Sequence, residues 1–201
     1  MSHWDERYAQ AGYWYGEAPN DFLRAVADRL APGADVLSIG EGEGRNGVYL
    51  ATLGHRVTGV DASALGLAKA QALAVARGVV IDVVEASLET FDLGVDRWDG
   101  IVSIWCHLPT ALRRDVHARV VRALKSGGLV MLEAYRPEQL EYGTGGPSDP
   151  SMLYRLDDLR RDFTGLDIVH GVEIVREVHE GVGHHGLSAV VQLVARKPAP
   201  G

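Results

Sequence analysis

Short apolar segments and longer stretches with helical spacing alternate along most of the chain. The apolar segments are rich in β-branched residues and have the length of buried strands; they cover residues 36–39, 55–61, 79–85, 98–105 and 129–134. Between them apolar residues recur every three or four positions, as in the Ala- and Leu-rich segment 64–77. This alternation predicts an α/β fold built on a doubly wound, mostly parallel sheet.

The last two apolar segments predict a different connection. Residues 168–178 and 187–195 alternate between apolar and polar positions, which is typical of strands. The link between them is too short for a crossover helix, so these strands must pair as an antiparallel hairpin. We therefore expect a seven-stranded, Rossmann-like sheet that ends in a C-terminal antiparallel hairpin.

The N-terminal segment, residues 4–20, is dense in aromatic residues and shows no clean helical stripe. One interpretation is a terminal arm whose rings pack on the domain surface. The other is that residues 1–20 form a lid, in which rings such as Trp4 and Tyr15 close over a cationic ligand and gain cation–π attraction. Residues 21–30 have helical spacing, with Asn20 or Asp21 placed to cap the helix.

A glycine-rich turn follows the first strand. Glycine suits such a turn because it accepts positive φ and lets a ligand approach the backbone, and the helix N-terminus beyond it offers unpaired N–H groups. Counted from Gly42, the spacing of Gly42, Gly44 and Gly47 matches the dinucleotide fingerprint. Counted from Gly40, which directly follows the strand, Arg45 stands where that fingerprint needs its third glycine. The turn predicts a nucleotide-like ligand in either register.

An aspartate ends the second strand. Asp61 lies about twenty residues after Gly40, where doubly wound folds bring an acidic side chain to the ribose hydroxyls of a bound nucleotide. The alternative is that Asp61 only caps the following helix, which Ser63 could do as well. Because the glycine turn stands at the right distance, we expect ribose binding.

Composition and charge narrow the class of partner. The chain has 201 residues, enough for one domain, 1–201, with its own core, and its net charge of −7 argues against nucleic acid. A single cysteine, Cys106, excludes an intramolecular disulfide and a cysteine-based zinc site, and we expect no metal. The first residues lack the pattern of a signal peptide, and no apolar run approaches roughly 18 residues. We expect a cytoplasmic protein with a small-molecule substrate and no membrane partner.

Several motifs occur in an order that resembles one enzyme family. From the N-terminus they read W-D-E-R-Y, G-E-G-E-G-R-N-G, V-T-G-V-D-A-S, I-V-S-I-W-C-H-L-P, K-S-G-G-L-V-M-L-E and P-E-Q-L-E-Y-G-T-G-G-P. The set resembles class I S-adenosylmethionine-dependent methyltransferases, and more narrowly the bacterial tellurite-resistance and thiopurine methyltransferase-like group. That family has a sheet ending in an antiparallel hairpin, so the predicted hairpin favours the Gly40 register. One departure is Ser38, where many class I enzymes carry an acidic residue.

The resemblance implies S-adenosyl-L-methionine as the cofactor and S-adenosyl-L-homocysteine as its product. It places Ser87 where the family usually presents an acidic residue to the adenine amine, and a serine hydroxyl can still accept that hydrogen bond. The residues that we expect to contact the cofactor are Trp4, Tyr15, Gly40, Glu41, Gly42, Gly44, Asn46, Asp61, Ala62, Ser87, Leu88 and Ile104.

Two residues at the ends of strands are candidates for catalysis. His107 follows the fourth strand and could act as a general base; the alternative is that it caps the next helix or braces the lid. Arg136 follows the fifth strand and could hold an anionic substrate by forked hydrogen bonds, or be a plain loop charge. We do not expect Cys106 to act as a nucleophile. The adjacent His184 and His185 could reach the active edge or bind a metal, but we expect them to face solvent.

The Gly- and Pro-rich segment 136–150 leaves the carboxyl end of the fifth strand. Loops of this length in compact domains are usually functional. We expect it to cover the substrate, with Tyr142 and Thr144 as contacts, and a plain connecting loop is the alternative.

The functional hypothesis is methyl transfer to a small-molecule acceptor by direct in-line displacement. A soft S, Se or Te nucleophile would need no base, whereas a hydroxyl or an amine would need one near neutral pH. A nicotinamide-dependent (NAD) oxidoreductase, favoured by the Gly42 register, and a non-catalytic sensor of S-adenosylmethionine remain as alternatives. The sequence does not decide between a monomer and a homodimer.

Overall fold

The sheet positions the candidate site, and its strands arise largely where the apolar segments predict them. The computed structural model describes residues 3–199. The strands are β1 (Asp35–Ile39), β2 (Arg56–Asp61), β3 (Asp82–Glu85), β4 (Trp98–Ile104), β5 (Leu124–Tyr135), β6 (Asp167–Glu180) and β7 (His184–Arg196). They form one sheet in the order β3-β2-β1-β4-β5-β7-β6.

The direction of the strands follows the prediction. Strands β1 to β5 are parallel to one another, whereas β7 pairs antiparallel with both β5 and β6. The predicted fold class, a doubly wound sheet with a C-terminal antiparallel hairpin, is confirmed.

Helices cover the sheet on both sides. They are α1 (His3–Tyr8), α2 (Asp21–Val26), α3 (Arg45–Thr52), α4 (Ala64–Ala76), α5 (Thr110–Ala123) and α6 (Leu156–Asp162). Short 3-10 turns lie at Ala27–Arg29, Pro137–Glu141 and Pro150–Met152. Among the described residues, no helix has the length and apolar character needed to cross a membrane.

The core has two parts because successive side chains of a strand point to opposite faces. Val36 packs with apolar residues of α2, α3 and α4, whereas the next residue, Leu37, packs with residues of α5 and α6. Both side chains are fully buried. Burial on both faces explains why the inner strands are continuous apolar runs in the sequence.

Side-chain caps settle two alternatives that the sequence left open. Asn20, not Asp21, caps α2, because its side chain accepts the N–H of Leu23. Ser63 caps α4 through the N–H of Gly66. Asp61 is therefore not needed as the cap of α4.

Three boundaries differ from the prediction. Residues 3–8 form a short helix although the aromatic segment shows no helical stripe, because Tyr8 is buried against the glycine turn and α4. Strand β5 begins at residue 124, since Leu124 already pairs with Trp98 before a shift of register. The turn between β6 and β7 contains only residues 181–183, shorter than the predicted link.

Candidate functional site

The order of the strands reverses between β1 and β4, and this creates a crevice at their carboxyl ends. In open α/β sheets such a switch point is where ligands bind. Gly40 follows β1, and the residues after β4 lie beside it: a Cβ atom added to Gly40 would lie 3.0 Å from Cys106 Sγ. The glycine turn and the segment 105–107 therefore form the two sides of the crevice.

The glycine turn has the backbone conformation that the sequence predicts. Gly40, Gly42 and Gly44 all have positive φ, at 65°, 58° and 93°. Gly40 is exposed, and a side chain there would be strained by its φ and would press on Cys106. The turn thus offers bare backbone at the mouth of the crevice.

Asp61 lies at the carboxyl end of β2, beside the glycine turn. Its carboxylate accepts the N–H of Gly42 at 2.9 Å and the N–H of Ser63 at 2.8 Å, and the residue is only partly buried. Burial raises the pKa of this carboxyl, while the backbone N–H groups of Ser63, Gly42 and Ala62 act in the opposite direction. Each carboxylate oxygen has a further lone pair for a ligand hydroxyl.

Glu41 corrects one of the predicted ligand contacts. Its buried side chain turns under α3, where Oε1 accepts the N–H of Gly47 at 3.0 Å and Ser38 also bonds the carboxyl. Burial raises its pKa to about 7. Many class I enzymes carry an acidic group at the position of Ser38, and here the neighbouring side chain of Glu41 supplies it. Only the backbone of Glu41 belongs to the crevice.

Asn46 is a second correction. Its Oδ1 accepts the backbone N–H of Asn20 at 3.0 Å, and the side chain is buried. The amide therefore fastens the end of the N-terminal segment to α3 and is directed away from a ligand in the crevice.

The remaining predicted contacts differ in exposure. Ala62 and Ser87 are exposed beyond the ends of β2 and β3, on the adenosine side that the prediction gives them. Ser87 Oγ accepts the N–H of Glu89 at 3.2 Å, which still leaves its hydroxyl proton available. Leu88 and Ile104 are buried, so they can contribute apolar surface only.

Trp105, directly after β4, has a strained backbone. Its φ is 56°, a left-handed value that bulky residues rarely adopt. The conformation is held by two contacts: the backbone N–H donates to Glu133 O at 2.9 Å, and the indole Nε1–H donates to Glu180 Oε2 at 2.6 Å. Strain of this kind is concentrated at functional sites, where the surrounding structure enforces it.

Aromatic rings form the wall of the crevice opposite Asp61. Trp105 stacks on Tyr135 with ring centroids 4.4 Å apart, and His184 contacts both rings edge-on, at 4.9 Å and 5.3 Å. Tyr15, from the N-terminal segment, packs on His184 at 4.6 Å. We call Tyr15, Trp105, Tyr135 and His184 the aromatic wall. Tyr135 Oη and His184 Nδ1 are buried and have no hydrogen-bond partner among the described residues.

His107 does not have the geometry of a general base. Nδ1 lies 2.8 Å from Met152 O, and Nε2 accepts the backbone N–H of Tyr135 at 3.4 Å. Burial of the imidazole lowers its pKa to about 4. Both ring nitrogens are thus occupied by the backbone, and His107 braces the segment after Pro150 against β5 and neither caps α5 nor braces the N-terminal lid.

Arg136 is also corrected. Its guanidinium lies between two carboxylates, 3.2 Å from Glu173 and 3.6 Å from Glu138. Such a doubly paired guanidinium has its charge compensated within the protein, so it is a poor holder for an anionic substrate.

The sequence missed the histidine that does belong to the site. His184 was expected to face solvent, yet it is 5 % exposed, while its neighbour His185 is exposed and contacts His179. Burial, and more weakly the charges of Arg45 and Arg7, lower the pKa of His184 against the opposing effect of Glu180. The imidazole is therefore neutral near pH 7 and can accept a proton. The hairpin of β6 and β7 places His184 in the site, and no local sequence motif indicates this position.

Glu180 is the second missed residue. Its Oε2 accepts Trp105 Nε1–H and, at 2.5 Å, a guanidinium N–H of Arg45, and it lies 4.0 Å from His184 Nδ1. Burial alone would raise the pKa of this carboxyl, but the contacts with His184, Arg45 and Trp105 outweigh burial and lower it. Glu180 thereby connects the helix after the glycine turn to the aromatic wall.

The N-terminal segment crosses the mouth of the crevice. Glu43, in the glycine turn, accepts the backbone N–H groups of Trp14 at 2.7 Å and Tyr15 at 3.4 Å. Trp14 O in turn accepts the N–H groups of Val182 and Gly183 at the tip of the hairpin. The segment is thus fastened to both sides of the crevice. Trp4 lies farther out, is 41 % exposed, and stacks on Tyr8.

The segment 136–150 covers the aromatic wall from the other side. Gln139 is buried, and its side chain bonds Thr144, Gly145 and the N–H of Ala189. A Cβ atom on Gly146 would lie 2.6 Å from the Tyr135 ring, so the loop touches the wall closely. Thr144 Oγ1 donates to Leu187 O, and Tyr142 is exposed, so neither side chain is directed at the crevice.

A comparison of the sequence with protein families identifies the central part of the fold. Residues 36–128, from β1 to the turn within β5, match the family model described as a methyltransferase domain. This part of the chain therefore corresponds to a methyltransferase domain. Its sheet order and hairpin give the domain the class I form. The hairpin and the match together favour this assignment over a nicotinamide-dependent domain.

One curated relative supports the domain assignment. A predicted methyltransferase of Geobacillus sp. (strain WCH70) is 30 % identical over 150 residues, which are 67 % of this chain and 60 % of that protein. The chain thus spans about 60 % of the length of the relative.

Solved structures share the fold at low identity. A protein that converts a disulfide bond into a thioacetal group during echinomycin biosynthesis is 22 % identical, with a TM-score of 0.76 over 96 % of this chain and 88 % of that one. TehB from Haemophilus influenzae is 18 % identical, with a TM-score of 0.73 over 97 % and 66 %. The N-methyltransferase NodS from Bradyrhizobium japonicum, solved with S-adenosylhomocysteine, is 16 % identical, with a TM-score of 0.71 over 98 % and 97 %.

The residues of the crevice fit an S-adenosyl group. The amino-acid tail of that molecule fits the bare glycine backbone with positive φ. Its ribose diol fits the partly exposed carboxylate at the end of β2, and its base fits the exposed positions Ala62 and Ser87. The carboxylate has lone pairs to spare after its two backbone bonds. Gly40 itself is exposed, so its backbone is accessible to a ligand.

Proposed function

We propose that this protein transfers a methyl group from S-adenosyl-L-methionine to a small-molecule acceptor held against the aromatic wall. The observation that carries the proposal is the meeting, at one switch point, of the glycine turn with Asp61 and of the strained Trp105 with its ring neighbours. S-adenosyl-L-methionine is the cofactor of this domain class, and it supplies a methyl group on a sulfonium. The protein's residues bind, align and exclude water.

Each group of residues has a part in this proposal. Asp61 binds the ribose hydroxyls, Ser87 meets the adenine edge, and the turn at Gly40 receives the tail through its backbone. The aromatic wall faces the sulfonium, whose positive charge gains attraction from ring faces. The N-terminal segment and the loop 136–150 close over the two ligands as a lid and a cover.

We further propose a soft nucleophile, with sulfur, selenium or tellurium as the attacking atom. The support is that the wall is aromatic and neutral, which suits a polarisable acceptor. The protein of echinomycin biosynthesis, which shares the fold, acts on sulfur. An acceptor that arrives as a thiol would pass its proton to His184.

The test is a screen for S-adenosylhomocysteine formation with a panel of acceptors. Small thiols, selenide and tellurite form one group, and amines and phenols of similar size form the other. We expect turnover in the first group. Turnover with amines or phenols alone would overturn the soft acceptor and keep methyl transfer, whereas binding of the cofactor without turnover of any acceptor would favour a sensor.

A further inference from the structure

Helix α1 carries a cation that the proposed methyl transfer does not yet use. Arg7 lies in the last turn of α1, and one of its guanidinium N–H groups donates to Tyr15 Oη at 3.0 Å. The guanidinium also lies 5.1 Å from the centroid of the Trp4 ring. Arginine has five N–H donors in a fixed plane, so most of them remain available for a ligand.

The charge of Arg7 distinguishes it from the other cations near the crevice. No carboxylate of the described residues lies within ion-pair distance of its guanidinium. The other cations described near this edge each face at least one carboxylate, and they are Arg45, Lys69, Arg113, Arg136 and Arg176. A partly buried guanidinium without a carboxylate partner in the protein is suited to bind the carboxylate of a ligand.

The contacts of α1 place Arg7 above the middle of the crevice. Tyr8, the next residue, rests on the glycine turn, because a Cβ atom on Gly42 would lie 2.7 Å from its hydroxyl. Asp5 accepts the hydroxyl of Ser63, two residues beyond Asp61. On the other side, Tyr15 links Arg7 to the aromatic wall.

The cofactor's own chemistry defines what lies beneath that point. With the ribose at Asp61 and the sulfonium directed at the wall, the amino-acid tail must occupy the space over the glycine turn. That tail ends in an α-carboxylate. We propose that Arg7, assisted by the hydroxyl of Tyr15, binds the α-carboxylate of S-adenosylmethionine and so ties closure of α1 to recognition of the intact amino-acid tail.

Tyr15 can contribute because of its place in the hydrogen-bond chain. Its oxygen accepts the N–H of Arg7, so its own proton is free to donate to a carboxylate oxygen. The two oxygens of the α-carboxylate would then accept hydrogen bonds from paired N–H groups of Arg7 and from the hydroxyl of Tyr15. This inference rests on the proposed function, because it requires the cofactor to bind in the crevice.

Decarboxylated S-adenosylmethionine tests this step, because it lacks the carboxylate and keeps the sulfonium and the amine. Calorimetric titration should show that the wild-type protein binds it at least tenfold more weakly than S-adenosylmethionine. In Arg7→Ala, affinity for S-adenosylmethionine should fall roughly 10- to 100-fold, and its preference over the decarboxylated compound should shrink to the smaller part that Tyr15 supplies. Arg7→Lys should retain part of the discrimination, since it keeps the charge without the fork.

Arg24→Ala is the matched control, because Arg24 is an exposed arginine of α2 that pairs with Asp21. It should discriminate as the wild type does. The inference is overturned if Arg7→Ala loses the same factor for both compounds and so keeps the full preference of the wild type for the intact cofactor. Failure of the wild-type protein to bind S-adenosylmethionine would overturn the proposed function as well.

Discussion

At the scale of single residues, the carboxyl of Glu41 shows how a site is held together from beneath. It lies next to Gly47 and Gly59, where an added Cβ would come within 3 Å of its atoms, and its Oε2 has no partner among the described residues. The two glycines thus make room for the carboxyl between α3 and β2, and Glu41 keeps the turn in place without touching the ligand.

The raised pKa of Glu41 predicts a pH dependence of stability. Its pKa of about 7 in the folded state exceeds the ordinary value of 4.5, so the folded protein binds more protons than the unfolded chain between these values. This group's contribution to the free energy of unfolding should therefore fall, by roughly 3 kcal/mol, as the pH rises from about 4.5 to about 7, and then level off.

Denaturant titrations at several pH values check this. Glu41→Gln keeps the bond from Gly47 and should lose this part of the slope, while Glu89→Gln, at an exposed position, should behave as the wild type. An unchanged slope in Glu41→Gln would contradict the assignment.

The two histidines at the crevice should respond differently to substitution. With a thiol acceptor, His184→Gln should lower kcat/KM by on the order of 100-fold near pH 7 and remove the inflection that lies below pH 6.5 in the wild type. His107→Gln should keep that inflection and lower the free energy of unfolding by about 2 kcal/mol, because it disturbs the brace to Met152 and Tyr135.

Rate profiles against pH and melting curves for both variants provide the measurement. A profile of His184→Gln that keeps the inflection, together with one of His107→Gln that loses it, would restore His107 as the base.

The sequence predicts residues well where the reason is local. Gly40 and Asp61 follow from a turn and a strand end, and both lie at the crevice. It predicts them poorly where a partner is distant: Arg136 is neutralised by Glu173, and His184 is buried by rings from β4, β5 and the N-terminal segment. These contacts join residues far apart in the chain, and a single sequence contains no local signal for them.

At the scale of elements, the N-terminal segment and the hairpin act together. Trp14 donates its backbone N–H to Glu43 in the glycine turn and accepts two N–H groups from residues 182–183 of the hairpin. Glu43 is buried and also pairs with Lys69 at 2.8 Å. One carboxylate thus fastens the lid to the turn that is proposed to bind the cofactor.

Removing that carboxylate should release the lid. Glu43→Ala leaves the N–H groups of Trp14 and Tyr15 without an acceptor, so we expect hydrogen exchange at residues 14–16 and 182–183 to accelerate at least tenfold. Exchange in β1 and β4 should not change. The control is Glu17→Ala, which removes an exposed carboxylate that pairs with Arg77. Equal acceleration in both variants, or in neither, would contradict the fastening role of Glu43.

Elements were predictable to different degrees for a physical reason. Burial sets the spacing of apolar residues in strands that are buried on both faces and in helices with an apolar stripe. The sequence therefore identifies these strands and helices. Helix α1 is six residues long and is stabilised by Tyr8 against Gly42 and Gly66, which is tertiary packing. The same holds for the start of β5, which depends on pairing with Trp98.

At the scale of the whole molecule, the candidate functional groups lie together at the edge of the sheet where the parallel strands have their carboxyl ends. The glycine turn, Asp61 and the aromatic wall belong to the ends of five strands and to the N-terminal segment, and the network around Glu180 joins the two sides of the crevice. Fold class and candidate cofactor follow from the order of elements. The acceptor depends on a wall assembled only in three dimensions.

The central claim is that this edge binds an S-adenosyl cofactor through Asp61. Calorimetric titration of the protein with S-adenosylmethionine, S-adenosylhomocysteine and NAD tests it most directly, repeated on Asp61→Ala and on the exposed control Asp82→Ala. We predict binding of the first two with micromolar affinity, no binding of NAD, and a loss of roughly 30-fold or more in Asp61→Ala alone. Binding of NAD alone, or affinity unaffected by Asp61→Ala, would contradict the account.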